Sequence, residues 1–85
     1  MRDSRVLGQL EALAEKLEIK VSYERLFPSH GGLCKLRDQY FLLVDKNSNE
    51  EEQVRVFLSA LCRFPIDHLQ MLPRVRQMLE EWSHE

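Results

Sequence analysis

Long apolar runs, an excess of one charge and closely spaced cysteines are all missing from this 85-residue chain. No stretch of about 18 apolar residues is present, which argues against a membrane span. The 12 basic and 14 acidic residues leave a net charge of −2, so the chain lacks the excess of basic residues that phosphate neutralisation needs. We therefore expect neither a membrane nor a nucleic acid as its partner.

The beginning of the chain has no apolar segment typical of a secretory signal. Residues 1–5 mix charges and lead into an amphipathic stretch. The two cysteines, Cys34 and Cys62, then indicate reduced thiols in a cytoplasmic protein. Since 85 residues support one modest core, the sequence predicts a single domain over residues 1–85.

Metal-binding and catalytic spacings are also missing. His30, His68 and His84 lie far apart, and no HxxxH or HxH pair offers two ligands on one element. Neither Cys34 nor Cys62 has a CxxC partner, and the sequence shows no base that would activate either thiol. We interpret both as small buried side chains. The sequence thus predicts no catalytic residue, no metal ligand, no cofactor and no identifiable small-molecule substrate.

The chain does show clear helical and strand periodicities in its first half. Apolar residues three and four positions apart, from Val6 to Leu17, predict a helix. The next segment alternates apolar residues, Ile19, Val21 and Tyr23, with polar ones, which indicates a strand with one solvent-exposed face. Residues 27–32 are predicted to form a loop because they contain proline and two glycines. A hairpin is predicted next, with arms at 33–37 and 40–45 and a two-residue turn at 38–39.

The second half is predicted to be helical. Ser48 forms a capping box with Glu51 at the start of one helix, which ends near Phe64 because Pro65 follows. Pro73 suits the first position of a last helix. The element order is therefore α-β-β-β-α-α. The sequence predicts an α+β fold with a small three-stranded antiparallel sheet and three helices packed mainly on one of its faces.

The strand at 40–44 is apolar on both faces, which is unusual beside a first strand with a polar face. One face should meet the helices. The other face is either covered by the last helix or left exposed for a partner, since exposed apolar patches often mark interaction sites. The residues that we assign to such an interface are Tyr40, Phe41, Leu42, Leu43 and Trp82.

Residues 31–63 resemble part of the zinc metallopeptidase-like family linked to phage immunity and stress regulators. The likeness lies in Gly-Gly-Leu-Cys-Lys-Leu from Gly31, the hairpin, and an apolar helix after Glu51-Glu52-Gln53. That family carries HExxH on the helix, and the matching place here is 59–63. Ser59 and Arg63 replace the two histidines and Ala60 replaces the glutamate. The resemblance therefore implies a shared scaffold without peptidase activity.

The chain also looks like short uncharacterised bacterial proteins with the same hairpin and helix, for which the resemblance implies no function. Small size, missing catalytic motifs and the two-faced strand favour a non-catalytic protein-interaction module. We expect it to act as a homodimer or as an adaptor for another protein. The alternative is a degenerate zinc-peptidase-like scaffold or a small thiol or metal enzyme.

Overall fold

The computed structural model describes residues 4–25 and 31–83. Over these residues the chain forms three helices and three strands in the order α-β-β-β-α-α, so the predicted α+β class is confirmed. The helices are α1 (Ser4–Lys16), α2 (Glu50–Leu61) and α3 (Pro73–Ser83). The strands are β1 (Ile19–Glu24), β2 (Gly31–Leu36) and β3 (Gln39–Asp45).

The prediction of a purely antiparallel sheet is wrong. The strand order is β1-β3-β2, and β3 runs antiparallel to β2 but parallel to β1. The sequence did not fix the order of the strands, and in the structure the most apolar strand takes the central position between its two predecessors. Since these two outer strands run in opposite directions, β3 is necessarily parallel to one of them.

The central position explains why β3 is apolar on both faces. Its backbone pairs along both edges, with Val21 opposite Leu42 on one side and Leu33 opposite Leu42 on the other. Leu42 and Val44 are completely buried. Alternation along the strand then sends Phe41 and Leu43 to the other side of the sheet.

All three helices lie on the side of the sheet where Leu42 and Val44 point. Helix α1 packs on β1, and α2 packs on β2 and β3. Helix α3 packs on α1 and α2 and, within the described residues, contacts no strand. Every buried side chain in these ranges is apolar. The largest fully buried side chains are Phe57, Leu10, Leu13, Leu42, Leu61 and Leu79.

Helix α2 begins and ends close to the predicted positions. Its N-cap is Asn49, whose Oδ1 accepts a hydrogen bond from the backbone N–H of Glu52 at 2.8 Å. The predicted cap, Ser48, instead donates its hydroxyl to the carbonyl of Asp45. The last helical residue is Leu61. Beyond it, the backbone N–H groups of Arg63 and Phe64 donate to carbonyls three residues earlier, which is the 3₁₀ pattern, and Pro65 follows.

Two non-glycine residues adopt the left-handed conformation at chain reversals. Arg37 has φ of 59° in the hairpin turn, which lies at 37–38, one residue before the predicted turn. Glu18 has φ of 62° just after α1. Gly32 has φ of 151°, a conformation that side chains disfavour, so its lack of a Cβ suits this part of β2.

Candidate functional site

The inner side of α2 carries packing residues, and those that are buried are Phe57, Leu58, Ala60 and Leu61. Of the residues that the predicted resemblance compares with HExxH, Ala60 is 2% exposed and lies in the core beside Leu61. Ser59 is half-buried and Arg63 is exposed. This helix thus contributes apolar contacts to the sheet side.

Other polar groups are dispersed over the described ranges. His68 is exposed, while His30 and His84 lie outside the described residues. Within residues 4–25 and 31–83, no group of three or more histidine, cysteine or carboxylate side chains is placed to hold a metal ion. The three glutamates at the start of α2 occupy its first turn, where Glu51 pairs with Arg55 at 3.9 Å on the exposed surface.

Within residues 4–25 and 31–83, the second face of the sheet is the main feature that no other element covers. We call it the open face, and it is defined by alternate residues of the three strands that point away from the helices. They are Lys20, Ser22 and Glu24 of β1, Gln39, Phe41, Leu43 and Asp45 of β3, and Gly32, Cys34 and Leu36 of β2. Because registered residues share a face, these side chains lie side by side in rows.

The centre of the open face is apolar. Phe41 lies beside Cys34 on β2, and Leu43 lies beside Gly32. Phe41 and Leu43 are half-buried by their neighbours but do not join the hydrophobic core beneath the helices. Leu36, at one end of the face, is 65% exposed. A Cβ added at Gly32 would meet nothing within 4 Å among the described residues, so this part of the face is open.

Helix α3 does not cover the open face. The sequence left two alternatives for the outer side of β3, coverage by the last helix or exposure. In the structure α3 lies against α1 and α2, and Met78 and Trp82 pack on the core from that side. Among the described elements, none lies over Phe41 and Leu43.

The five residues that we assigned to an interface do not lie on one surface of the structure. Phe41 and Leu43 are on the open face, whereas Tyr40 and Leu42 point to the helices. Tyr40 meets the ring of Phe64 edge to face, with centroids 5.0 Å apart. Trp82 is half-buried on α3. Of the five residues, only Phe41 and Leu43 therefore lie together on one surface, the open face.

Cys34 is placed differently from the sequence interpretation. Both cysteines were interpreted as buried, which is wrong for Cys34, because this free thiol is exposed on the open face. Cys62 is half-buried, and its thiol donates to the carbonyl of Ser59 at 3.4 Å. Alternation along the strand places Cys34 on the same face as Leu36, and this is the signal in the sequence that could have located the thiol.

The open face carries opposite charges at its two ends. Lys20 lies in the same row as Phe41, toward the beginning of β1. Glu24 and Asp45 are register partners at the far end. The Ser22 hydroxyl donates a hydrogen bond of 2.7 Å to Glu24, which holds that carboxylate over the β1 side of the face. The alternation in the sequence indicated only that these β1 residues form a solvent-exposed face.

A second surface feature is a groove of about 770 Å³ between α1, the start of α2 and α3. Its lining mixes the cations Lys46 and Arg74 with the carboxylates Glu50 and Glu51. Because charges of both signs alternate there, the groove shows no preference for an anion or a cation. It therefore points to no ligand class.

Comparisons of this chain with protein-family models, curated proteins and solved structures found no match. The resemblance of residues 31–63 to zinc metallopeptidase-like proteins thus stays a prediction. None of the helices in the described ranges combines the length and apolar character that crossing a bilayer requires.

Proposed function

We propose that this chain is a non-catalytic protein-interaction module that binds a protein surface through its open face. One observation supports the proposal above all others. Phe41 and Leu43 form the centre of a sheet face that no described helix covers, although the same strand buries Leu42 and Val44 completely on its other side. Apolar area left open in this way is stabilised when another protein surface excludes water from it.

The chemistry of the face fits a protein partner better than a small ligand. It is flat, because it consists of side chains on three neighbouring strands, whereas small-molecule sites are concave. Its apolar centre is flanked by charged residues, as in protein interfaces with a dry core and a polar rim. The alternative of a thiol or metal enzyme has less support, because the described residues place no metal-binding cluster near Cys34. A cytoplasmic setting, in which Cys34 stays reduced, belongs to the same proposal.

The first test is the reactivity of Cys34 in dilute protein. With Cys62→Ser, Cys34 is the single thiol, and its rate with a disulfide reagent reports whether the face is open. We expect a rate close to that of an unfolded peptide thiol at concentrations of about 1 µM or below, where weak complexes dissociate. Cys34→Ser, which leaves only Cys62, is the matched control and should react more slowly. A Cys34 protected in dilute folded protein would overturn the proposal, because the chain itself would then cover the face.

The second test asks whether a protein occupies the face in the cell. A photo-crosslinking amino acid replaces Phe41 in one variant and the exposed α3 residue Gln77 in another. We expect a discrete protein adduct from position 41 and none from position 77. Equal adducts from both positions, or none from position 41, would contradict an interaction through this face.

A further inference from the structure

We propose that the occupant of the open face is a second copy of this chain, packed face to face with its strands antiparallel to those of the first copy. This inference rests on the proposed function, because it names the partner of the same face. A two-fold axis lying in the plane between the two sheets generates such a dimer, in which the same patch is used by both subunits.

The arrangement of charges on the open face supports a second copy. Along β1, Lys20 and Glu24 point to this face from opposite ends, with Ser22 between them. Asp45 reinforces the acidic end because it is the register partner of Glu24. A surface with one basic and one acidic end is complementary to itself when turned end for end.

The two ways of stacking such sheets differ in their electrostatics. If the strands of the two copies ran in the same direction, the acidic end with Glu24 and Asp45 would meet the same acidic end of the partner. If they run antiparallel, Lys20 lies toward Glu24 of the partner subunit, and the reciprocal pair forms on the other side of the axis. Like-charge juxtaposition disfavours the first arrangement, so the charges select the second.

The apolar centre fits between these charged ends. Because Lys20 shares a row with Phe41 and Glu24 shares a row with Asp45, the axis passes over the row of Ser22 and Leu43 that lies between them. The Leu43 side chains of the two copies meet around this axis. Gly32, beside Leu43, carries no side chain and has open space over it, so a partner side chain can approach the sheet closely there. Three strands about 4.8 Å apart and roughly 20 Å long offer a face of about 300 Å² in plan. This is less than half of the roughly 800 Å² per partner that a standard stable interface buries, so we expect a weak, transient dimer with a dissociation constant on the order of 10–100 µM.

The test is sedimentation velocity of the full chain over a concentration series from about 5 to about 500 µM, which spans the expected constant. We expect a shift from monomer to dimer and no larger species, because face-to-face packing uses up the patch. Leu43→Asp should weaken the dimer at least about 100-fold, since it places a charge in the dry centre. Gln70→Asp, an equal charge change on an exposed loop, is the control and should leave the association unchanged. Circular dichroism establishes that both variants are folded.

A charge swap tests the orientation. Lys20→Glu alone should weaken the dimer about tenfold, because an acidic residue would then lie toward Glu24 of the partner subunit. Glu24→Lys alone should weaken it similarly. The double variant Lys20→Glu/Glu24→Lys restores opposite charges across the axis and should recover most of the affinity. Additive weakening in the double variant would overturn the antiparallel arrangement.

The outcomes separate this inference from the proposed function. A chain that sediments as a monomer up to about 500 µM, with Cys34 still reactive, overturns the second-copy inference while the open face stays available to another protein. A monomer with a protected Cys34 overturns both. A dimer that Leu43→Asp leaves intact contradicts the use of this face by the second copy.

Discussion

Phe41 and Leu42 are consecutive residues of β3, yet Leu42 is completely buried beneath the helices while Phe41 lies half-buried on the open face. Two adjacent apolar side chains thus belong to different environments. The first helps to hold the fold together, and the second is available to a partner. This difference can be measured.

Leu42→Ala and Phe41→Ala should differ in their effect on stability. Leu42→Ala leaves a cavity in the core and should lower the free energy of unfolding by about 2–5 kcal/mol. Phe41→Ala removes a larger side chain but should cost about 1 kcal/mol or less, because it leaves no cavity in the core. Urea unfolding at low micromolar protein concentration measures the folded monomer. Equal losses for the two variants would mean that Phe41 belongs to the chain's own core.

Asn49 should contribute to stability through its cap on α2. Its side-chain oxygen accepts the N–H of Glu52, which otherwise has no partner within the helix. Asn49→Ala should therefore lower the free energy of unfolding by about 1 kcal/mol, and Asn49→Asp should retain the cap. Asn47→Ala is a suitable control, because the structure uses the backbone N–H of Asn47, bound to Asp45, rather than its side chain. A larger loss for Asn47→Ala than for Asn49→Ala would contradict the assigned cap.

Glu18→Gly should stabilise the protein by up to about 1 kcal/mol. Glu18 has φ of 62°, and this left-handed conformation costs a non-glycine residue about 1–2 kcal/mol, only partly offset by the extra freedom of an unfolded glycine. The matched control is Glu15→Gly within α1, which should destabilise by about 1 kcal/mol because it adds a glycine to a regular helix. Thermal unfolding of the two variants should shift in opposite directions. A lower melting temperature for Glu18→Gly would contradict the left-handed assignment.

Tyr23 should make the protein less stable at alkaline pH. Burial of its ring, its hydrogen bond to Glu11 and the charge of that carboxylate all raise the pKa of the Tyr23 hydroxyl above its ordinary value. Below about pH 10 the tyrosine is protonated in both the folded and the unfolded chain, and the full stability is present. Above that pH the unfolded chain releases this proton while the folded chain keeps it, so the free energy of unfolding falls as pH rises.

Tyr23→Phe isolates this effect. The variant has no hydroxyl at position 23, so its free energy of unfolding should fall less steeply above about pH 10 than that of the original chain. Glu11→Gln keeps a hydrogen-bond acceptor but removes the charge, and it should give an intermediate slope. Urea unfolding at several alkaline pH values measures these slopes. Identical slopes for all three proteins would contradict the raised pKa.

Periodicity predicted the local elements of this fold well. The three-and-four spacing from Val6 to Leu17 marks α1, and Pro73 is the first residue of α3 as predicted. The errors at the ends of α2 and at the hairpin turn are one to a few residues. They arise because neighbouring residues, such as Ser48 and Asn49, both have the chemistry of a cap.

The candidate site was predictable only in part. The two-faced strand drew attention to the correct segment, and alternation separated Cys34 and Leu36 from their neighbours. Sequence alone did not show which alternate set of β3 faces the helices, because both sets are apolar. It also treated Lys20 and Glu24 as solvated residues rather than as the charged ends of one surface.

The sequence by itself determined the order of helices and strands, the ends where proline stands, and the absence of closely spaced metal-ligand motifs, because these depend on residues close together in the chain. Two arrangements were settled only in the folded chain: β3 lies between β1 and β2, and α3 packs on α1 and α2 rather than over the outer side of β3. Those choices depend on which strand gains most from pairing along both edges and on where apolar surfaces meet, and they involve contacts between residues far apart in the chain. They leave Phe41, Leu43 and Cys34 together on a face that the described helices do not cover.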